Sequence, residues 1–208
     1  VQTSHGGFDA TAILQEFLPG TQWRIAGSNG TRLRGIGRMA VRVHQALEGF
    51  IEDHPESKRT HAWDLSRVDR YRNAISKVVD SEHRARLERS MHLYPAIALP
   101  ALASCPRGML HGDLNDENIL FDGDDISGVV DAGDTQEGAL IQDLAISLAY
   151  ALQAEDSTLE DAATLVAGYD EVRPMDSAEE AVLFPLVLAR LACSALIGLG
   201  RRDEDAGH

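Results

Sequence analysis

Lysine is nearly absent from this chain. Lys58 and Lys77 are the only two, and arginine supplies the rest of the positive charge. With 33 acidic side chains against 19 basic ones, the formal net charge is −14. That balance argues against a nucleic-acid partner and against adhesion to an anionic membrane. Cysteine is as scarce. Cys105 and Cys193 cannot make a disulfide framework, which points to a reducing cytoplasm. The opening Val1–Phe8 has neither a basic start nor an apolar run, so it is not a signal peptide. One stretch, Ala181–Leu199, approaches membrane-spanning length, but Pro185 and Arg190 interrupt it and it reads as a buried core helix. There is no internal repeat, low-complexity tract or long linker, and 208 residues suffice for one domain with a real core.

What is present concentrates between Met109 and Asp134, in the run MLHGDLNDENILFDGDDISGVVDAGD. Two short apolar strands, Ile119–Phe121 and Ile126–Val130, flank a turn at Asp122-Gly123-Asp124. His111, Asp113, Asn115 and Asn118 precede the first strand, and Asp131 and Asp134 follow the second. A hairpin holds its ends side by side, so Asn118 and Asp131 should meet. Two oxygen donors so placed are a minimal site for Mg²⁺, which keeps water and phosphate as its other ligands. Asp113 lies upstream on the same loop, within reach of a substrate hydroxyl beside that metal.

His111-Gly112-Asp113, then Asn118, then Asp131-Ala132-Gly133, resembles the catalytic and metal loops of the aminoglycoside phosphotransferase and choline kinase-like family, which has a protein kinase-like fold. The similarity continues into Asp143-Leu144-Ala145 and runs from about Phe17 to near the end. HGDLNDENIL, GVVDAGDT and DLAISLAYAL are most similar to the hydroxylysine kinase-like branch, which includes kinase domains fused to aminotransferases. The resemblance implies an α+β fold: a mostly helical C-terminal lobe over residues 19–208 with a short catalytic hairpin, and a remnant of an N-terminal lobe with its hinge over 1–18.

It also implies roles. Asp113 is the catalytic base or orienting group for the acceptor hydroxyl, and His111, grouped with it, holds the loop by hydrogen bonds. Asn118 and Asp131 bind Mg²⁺, with Asp134 supporting that site or meeting a cationic substrate. Asp143 braces the catalytic loop by accepting backbone N–H bonds. Phe17-Leu18-Pro19-Gly20 resembles the hinge, so Glu16, Phe17, Leu18 and, on the cleft floor, Leu120 are expected to contact the nucleotide, ATP or alternatively GTP. Two departures stand out. Ala132 replaces the usual aromatic residue and is expected to leave a cavity beside Asp131. Neither lysine lies in a strand like the one that holds the nucleotide phosphates in family kinases.

Elsewhere the pattern is helical. Val1–Phe17 reads as a hairpin around Gly6-Gly7, with its second strand over Asp9–Phe17. Leu33, Ile36, Ala40, Val43, Leu47 and Phe50 mark one face of a helix carrying His44, a packed residue rather than a reactive one. Gly27-Ser28-Asn29-Gly30 and Gly35-Ile36-Gly37 do not fit a phosphate-binding G-x-G-x-x-G and read as a turn and as close helix packing. Asp53–Arg59 is a polar connection. After Trp63-Asp64-Leu65, Asp64 or Ser66 caps a helix whose buried face is Val68, Tyr71, Ile75 and Val78. Further helices are expected over Glu82–Ala98, from Leu140 to Leu152, and over Ser157–Tyr169 and Ser177–Leu199, with Thr135–Gly138 a loop.

Three functions compete. The first is a Mg²⁺-dependent kinase acting on the hydroxyl of an amino alcohol or hydroxy-amino acid, whose ammonium the acidic residues would accept, with fusion or association with further domains an option. The second is a non-catalytic remnant or interaction module that keeps the fold. The third is a metal-dependent phosphohydrolase using His111, Asp113 and Asp131.

Overall fold

The computed structural model describes residues 2–5, 8–11, 15–50 and 63–205, with the side chains of 15–49 and 63–199. The first hairpin joins β1 (Gln2–His5) to β2 (Phe8–Thr11), with Gln2 opposite Thr11 and His5 opposite Phe8. Its second strand is shorter than the sequence suggests. Residues 15–20 carry no regular structure and are exposed. The polar connection at Asp53–Arg59 falls outside the described residues.

Beyond Gly20 the chain enters β3 (Thr21–Gln22), a single turn α1 (Trp23–Ala26) and the long α2 (Gly30–Leu47). Asn29 starts α2 by accepting the Arg32 N–H at 2.9 Å, a cap that satisfies one of the helix's free donors. Within α2 the buried face is Leu33, Ile36, Met39, Ala40, Val41 and His44, rotated from the expected one; Val43 and Leu47 are only half-buried. Asp64 then caps a 3₁₀ helix, Leu65–Lys77, through the Ser66 N–H at 2.8 Å. Val68, Ile75 and Val78 are buried and Tyr71 is half-buried, as the periodicity indicated.

The expected helix over Glu82–Ala98 is three pieces: α3 (Ser81–Leu93), a wide π turn at Tyr94–Ala98 and the short α4 (Leu99–Leu102). Pro95 explains the change. It has no N–H, and its ring pushes against the carbonyl four residues earlier, at Met91. That carbonyl accepts from Arg72 Nη2 at 2.9 Å instead.

Four strands frame the centre: β4 (Arg107–Leu110), β5 (Ile119–Asp122), β6 (Asp125–Val129) and β7 (Gln136–Ala139). β5 and β6 form the expected hairpin, with Ile119 opposite Val129 and a bulge at Leu120/Phe121, and β3 pairs with the other edge of β5. β7 is a correction. The sequence read Thr135–Gly138 as a loop, since Gly138 and polar side chains give no strand pattern. It pairs antiparallel with β4, Leu110 opposite Gln136, and this partner from 26 residues upstream makes it a strand.

Three helices close the molecule: α5 (Ile141–Ala151), α6 (Leu159–Val172) and α7 (Ser177–Asp205). The Ser177–Leu199 part of α7 is long and apolar enough to cross a membrane by composition alone. Here Val182, Leu186, Ala189, Cys193 and Leu196 pack into the core with Leu144 and Leu148 of α5 and Leu165 of α6, so it is a core helix. Both cysteines are free and buried. The whole is an α+β, mostly helical arrangement.

Helix α2 crosses α6 with their backbones in contact. A Cβ at Gly37 would run into the Leu165 carbonyl, and one at Gly168 into the Arg34 carbonyl, while a Cβ at Gly35 would meet nothing closer than Ile126 at 3.8 Å. Gly168→Ala should therefore lower stability by about 1–3 kcal/mol. Gly35→Ala should be neutral or raise it by up to about 1 kcal/mol through helix propensity. Urea unfolding midpoints of the two variants check the contrast.

Candidate active site

The segment between β4 and β5, residues 111–118, is a loop held almost entirely by side-chain hydrogen bonds. Asn115 starts the organisation: its Oδ1 accepts the N–H groups of Glu117 at 2.8 Å and Asn118 at 3.0 Å, folding the chain into a tight turn. Helix α5 fixes the loop from below. Asp143 Oδ2 accepts the His111 N–H and Oδ1 the Gly112 N–H, both at 2.9 Å, and Ser147 donates to the Leu114 carbonyl at 2.8 Å. Asp143 and Ser147 are four residues apart and so lie on one face of α5.

Asp143 is fully buried and also takes a 3.0 Å contact from His44 Nε2 of α2. Burial alone would raise its pKa. The hydrogen bond and charge of His44, with the backbone N–H of His111, outweigh that and hold the carboxyl below its ordinary value. A carboxylate whose pKa is lowered by folding contributes stability that is present above its unfolded pKa of about 3.9 and lost as pH falls through the folded value. Asp143→Ala would orphan two backbone N–H groups and His44. It should cost about 3 kcal/mol or more at neutral pH and flatten the acid side of the stability profile; urea titrations at neutral and acid pH measure both effects.

His111 is buried with both ring nitrogens occupied: Nε2 donates to the Val130 carbonyl at 3.1 Å and Nδ1 accepts the Asp113 N–H at 3.3 Å. Neither nitrogen is left to react. Gly112 has φ of 81°, and a Cβ there would strike the Asp134 carbonyl, so only glycine lets the turn at Ala132–Asp134 pack against the loop.

Asp113 gathers three donors. Arg190 Nη2, from α7, reaches Oδ1 at 2.7 Å; Asn115 Nδ2 and Asn118 Nδ2 reach Oδ2 at 2.8 and 3.2 Å. Burial raises the Asp113 pKa and the nearby Asp134 adds to that; the charge and hydrogen bond of Arg190 and the Asn115 amide pull it down, and burial prevails. Burial also raises Asp116, next along the loop.

Asn118 spends its amide nitrogen on Asp113, on the carbonyl at 2.9 Å as well as the carboxylate, which leaves its Oδ1 as the end for a cation. Its own carbonyl accepts the Val130 N–H at 2.9 Å, fastening the loop to the end of β6 one residue before Asp131. Asp131 is exposed and left-handed, φ 61°, the one non-glycine residue of positive φ among those described; aspartate visits that region more readily than most. Two hard oxygen donors at adjoining chain segments suit a divalent cation that brings phosphate and water as its other ligands. No group of three or more His, Cys, Asp or Glu side chains converges among the described residues, so nothing there makes a closed metal cage. Ala132 is exposed, so its small side chain does not open the expected cavity in a packed interior beside Asp131.

The proposed nucleotide contacts are more open. Glu16 and Phe17 are exposed, Phe17 by 86%. Leu18 lies over Gly128, and the Pro19 carbonyl accepts from Ser127 Oγ at 2.9 Å, so the segment rests on the β5–β6 hairpin beside the buried Leu120. Just beyond, Arg24 N–H donates to the Asp116 carbonyl at 2.9 Å and Gln22 Nε2 to that of Glu117 at 3.0 Å, tying this segment to the 111–118 loop.

Sequence reasoning missed Arg190, Asn115 and Ser147 as parts of the site. Arg190 alone gave a signal: a single charge inside the apolar Ala181–Leu199 run must find a partner.

A mostly helical body with a hairpin-borne loop of this geometry has a protein kinase-like fold. Residues 2–177 match the phosphotransferase enzyme family, APH, and the chain belongs to that family. It is 28% identical over 197 residues to hydroxylysine kinase of Mus musculus, covering 87% of this chain and 51% of that protein. It is 31% identical over 179 residues to homoserine kinase of Gluconobacter oxydans (strain 621H), covering 84% and 54%. Among solved structures, amicoumacin kinase in complex with AMP-PNP, Ca²⁺ and Ami superposes with a TM-score of 0.61 at 18% identity, over 88% of this chain and 55% of that one. The chain thus spans about half the length of the curated relatives it matches.

Proposed function

We propose that this chain is the acceptor- and metal-binding lobe of a small-molecule kinase, which moves the γ-phosphoryl group of ATP, or GTP, to the hydroxyl of an amino alcohol or hydroxy-amino acid. The observation that carries the reading is the hydrogen-bonded joining of Asp113, Asn118 and the end of β6 before Asp131 into one constellation. The relatives' names, hydroxylysine kinase and homoserine kinase, support a hydroxy-amino acid as acceptor. The amicoumacin kinase complex, with its nucleotide analogue and divalent ion, supports the co-substrate and a metal.

In this reading Asp113 orients the acceptor hydroxyl and takes its proton as the hydroxyl oxygen bonds to the γ-phosphorus and the bond to the bridging oxygen of the diphosphate breaks. Asn118 Oδ1 and Asp131 would hold Mg²⁺, which would neutralise charge on the phosphates. His111 keeps the loop in shape, Asp143 braces it from α5, and Asp134 stands beside the carboxylate of Asp113, where an ammonium group would be welcome. Residues 1–18 serve as the edge of an upper lobe and its hinge, with Glu16, Phe17, Leu18 and Leu120 against the base. The two buried free cysteines and acidic surface suit a cytoplasmic protein.

Asp113→Asn in the whole protein should cut transfer about 10²–10⁴-fold while leaving nucleotide affinity nearly unchanged. Asp131→Ala should weaken Mg²⁺-nucleotide binding by at least the roughly 10–100-fold that even an outer-shell change costs. Binding titrations beside turnover assays separate the two, and an Asp113→Asn enzyme of normal turnover would refute the assignment.

The 208-residue chain alone should bind nucleotide poorly and transfer no phosphate at a useful rate. A triphosphate needs cationic and N–H donors around it and a roof that excludes water. The chain brings a floor, two metal ligands and no lysine placed for phosphates. Calorimetry with Mg²⁺ and ATP or GTP, with a transfer screen over amino alcohols and hydroxy-amino acids, tests this; micromolar affinity with acceptor-dependent turnover would refute it and favour a self-sufficient lobe.

A further inference from the structure

Arg190 is 1% exposed, in the middle of the apolar helix α7. A guanidinium so far from water needs a full set of partners. It stacks over the Trp63 ring at 4.8 Å and lies 5.6 Å from that of Tyr150, distances at which a cation is held by the aromatic face. Nη1 donates to the Trp63 carbonyl at 3.3 Å, and Nη2 reaches the Tyr150 hydroxyl at 3.5 Å and Asp113 Oδ1 at 2.7 Å. Two aromatic rings and one short charged bond, to Asp113, hold the head group, while its buried Nε makes no hydrogen bond.

From this we infer that Arg190 is a positioning residue for phosphoryl transfer: it supplies the counter-charge of Asp113 and dictates which oxygen of that carboxylate meets the acceptor hydroxyl. The inference rests on the phosphotransfer reading of Asp113. An ionised carboxylate has about four lone-pair positions. Asn115 and Asn118 fill both on Oδ2, and Arg190 fills one on Oδ1. One position on Oδ1 remains, and the acceptor hydroxyl takes it. Arg190 itself is sealed from solvent, so it does not touch the substrate; it acts through Asp113.

Arg190, from α7, is the one cation hydrogen-bonded to Asp113 among the described residues, and its loss frees the carboxylate to turn about the two amide contacts on Oδ2.

The test uses Arg190→Met, close in volume and uncharged, and Arg190→Lys, which keeps the charge without the fork. Crystal structures of this chain should show the Asp113 carboxylate turned away from its parent orientation in Arg190→Met and kept in it by Arg190→Lys. In the whole protein kcat of Arg190→Met should fall about 100-fold, the scale of an approximately 1 Å misplacement, with acceptor KM little changed, and Arg190→Lys should recover part of the loss. If Arg190→Met does not fold, Arg190→Gln, which keeps a donor but no charge, takes the same measurements. An unmoved Asp113 carboxylate in a folded neutral variant overturns the inference. So does a rise in acceptor KM alone, which would make Arg190 a substrate contact. The structural measurement needs no turnover, so the two readings fail separately: a turned carboxylate in a whole protein whose parent transfers no phosphate would refute the phosphotransfer reading, and the positioning role with it, while leaving the hold of Arg190 on Asp113 shown.

Discussion

One carboxylate with no access to water ties the loop between β4 and β5 to the body of the protein. Asp143, in the first turn of α5, accepts the N–H groups of His111 and Gly112 and meets His44 Nε2 from α2. Burying such a charge is costly unless it is hydrogen-bonded, and here three donors from two other segments meet it. The loop between β4 and β5 has little apolar surface of its own to bury. Its conformation therefore comes from this carboxylate, from Ser147 one turn along the same helix, and from the Asn115 turn. The position of Asp113 follows from those contacts.

A second buried charge works in the opposite direction. Asp143 arranges backbone from below, whereas Arg190 grips a side chain from α7 and links it to Trp63 at the entry to the 3₁₀ helix. Between them α5 and α7 set the loop's path and the angle of its carboxylate. The glycine contact of α2 with α6 matters for the same reason: it brings His44 close enough for Asp143. Packing density in the helical body thus reaches the site through two ionisable side chains rather than through the loop itself.

The local pattern carried much of this. Apolar spacing indicated the helices and the β5–β6 hairpin, and the ordered motif His111-Gly112-Asp113, Asn118, Asp131 marked one segment as chemically distinct. Family membership and the α+β, kinase-like class were legible from that order, because short-range sequence specifies a turn and its capping residues directly. The π turn at Tyr94–Ala98 also has a local cause, Pro95, which periodicity alone overlooks.

Contacts between distant segments were not legible. The β4–β7 pairing turns a polar, glycine-containing stretch into a strand because a partner edge is there, and no property of residues 136–139 announces that partner. The buried face of α2 is rotated from the apolar stripe and takes in His44, whose partner Asp143 lies 99 residues away. Arg190 shows the division most plainly. Sequence alone determined that a charge in that apolar run must be paired, since an unpaired buried cation is too costly to keep. Only the tertiary structure decided that its partner is Asp113, 77 residues away, because the packing of α7 alone brings that guanidinium beside the loop.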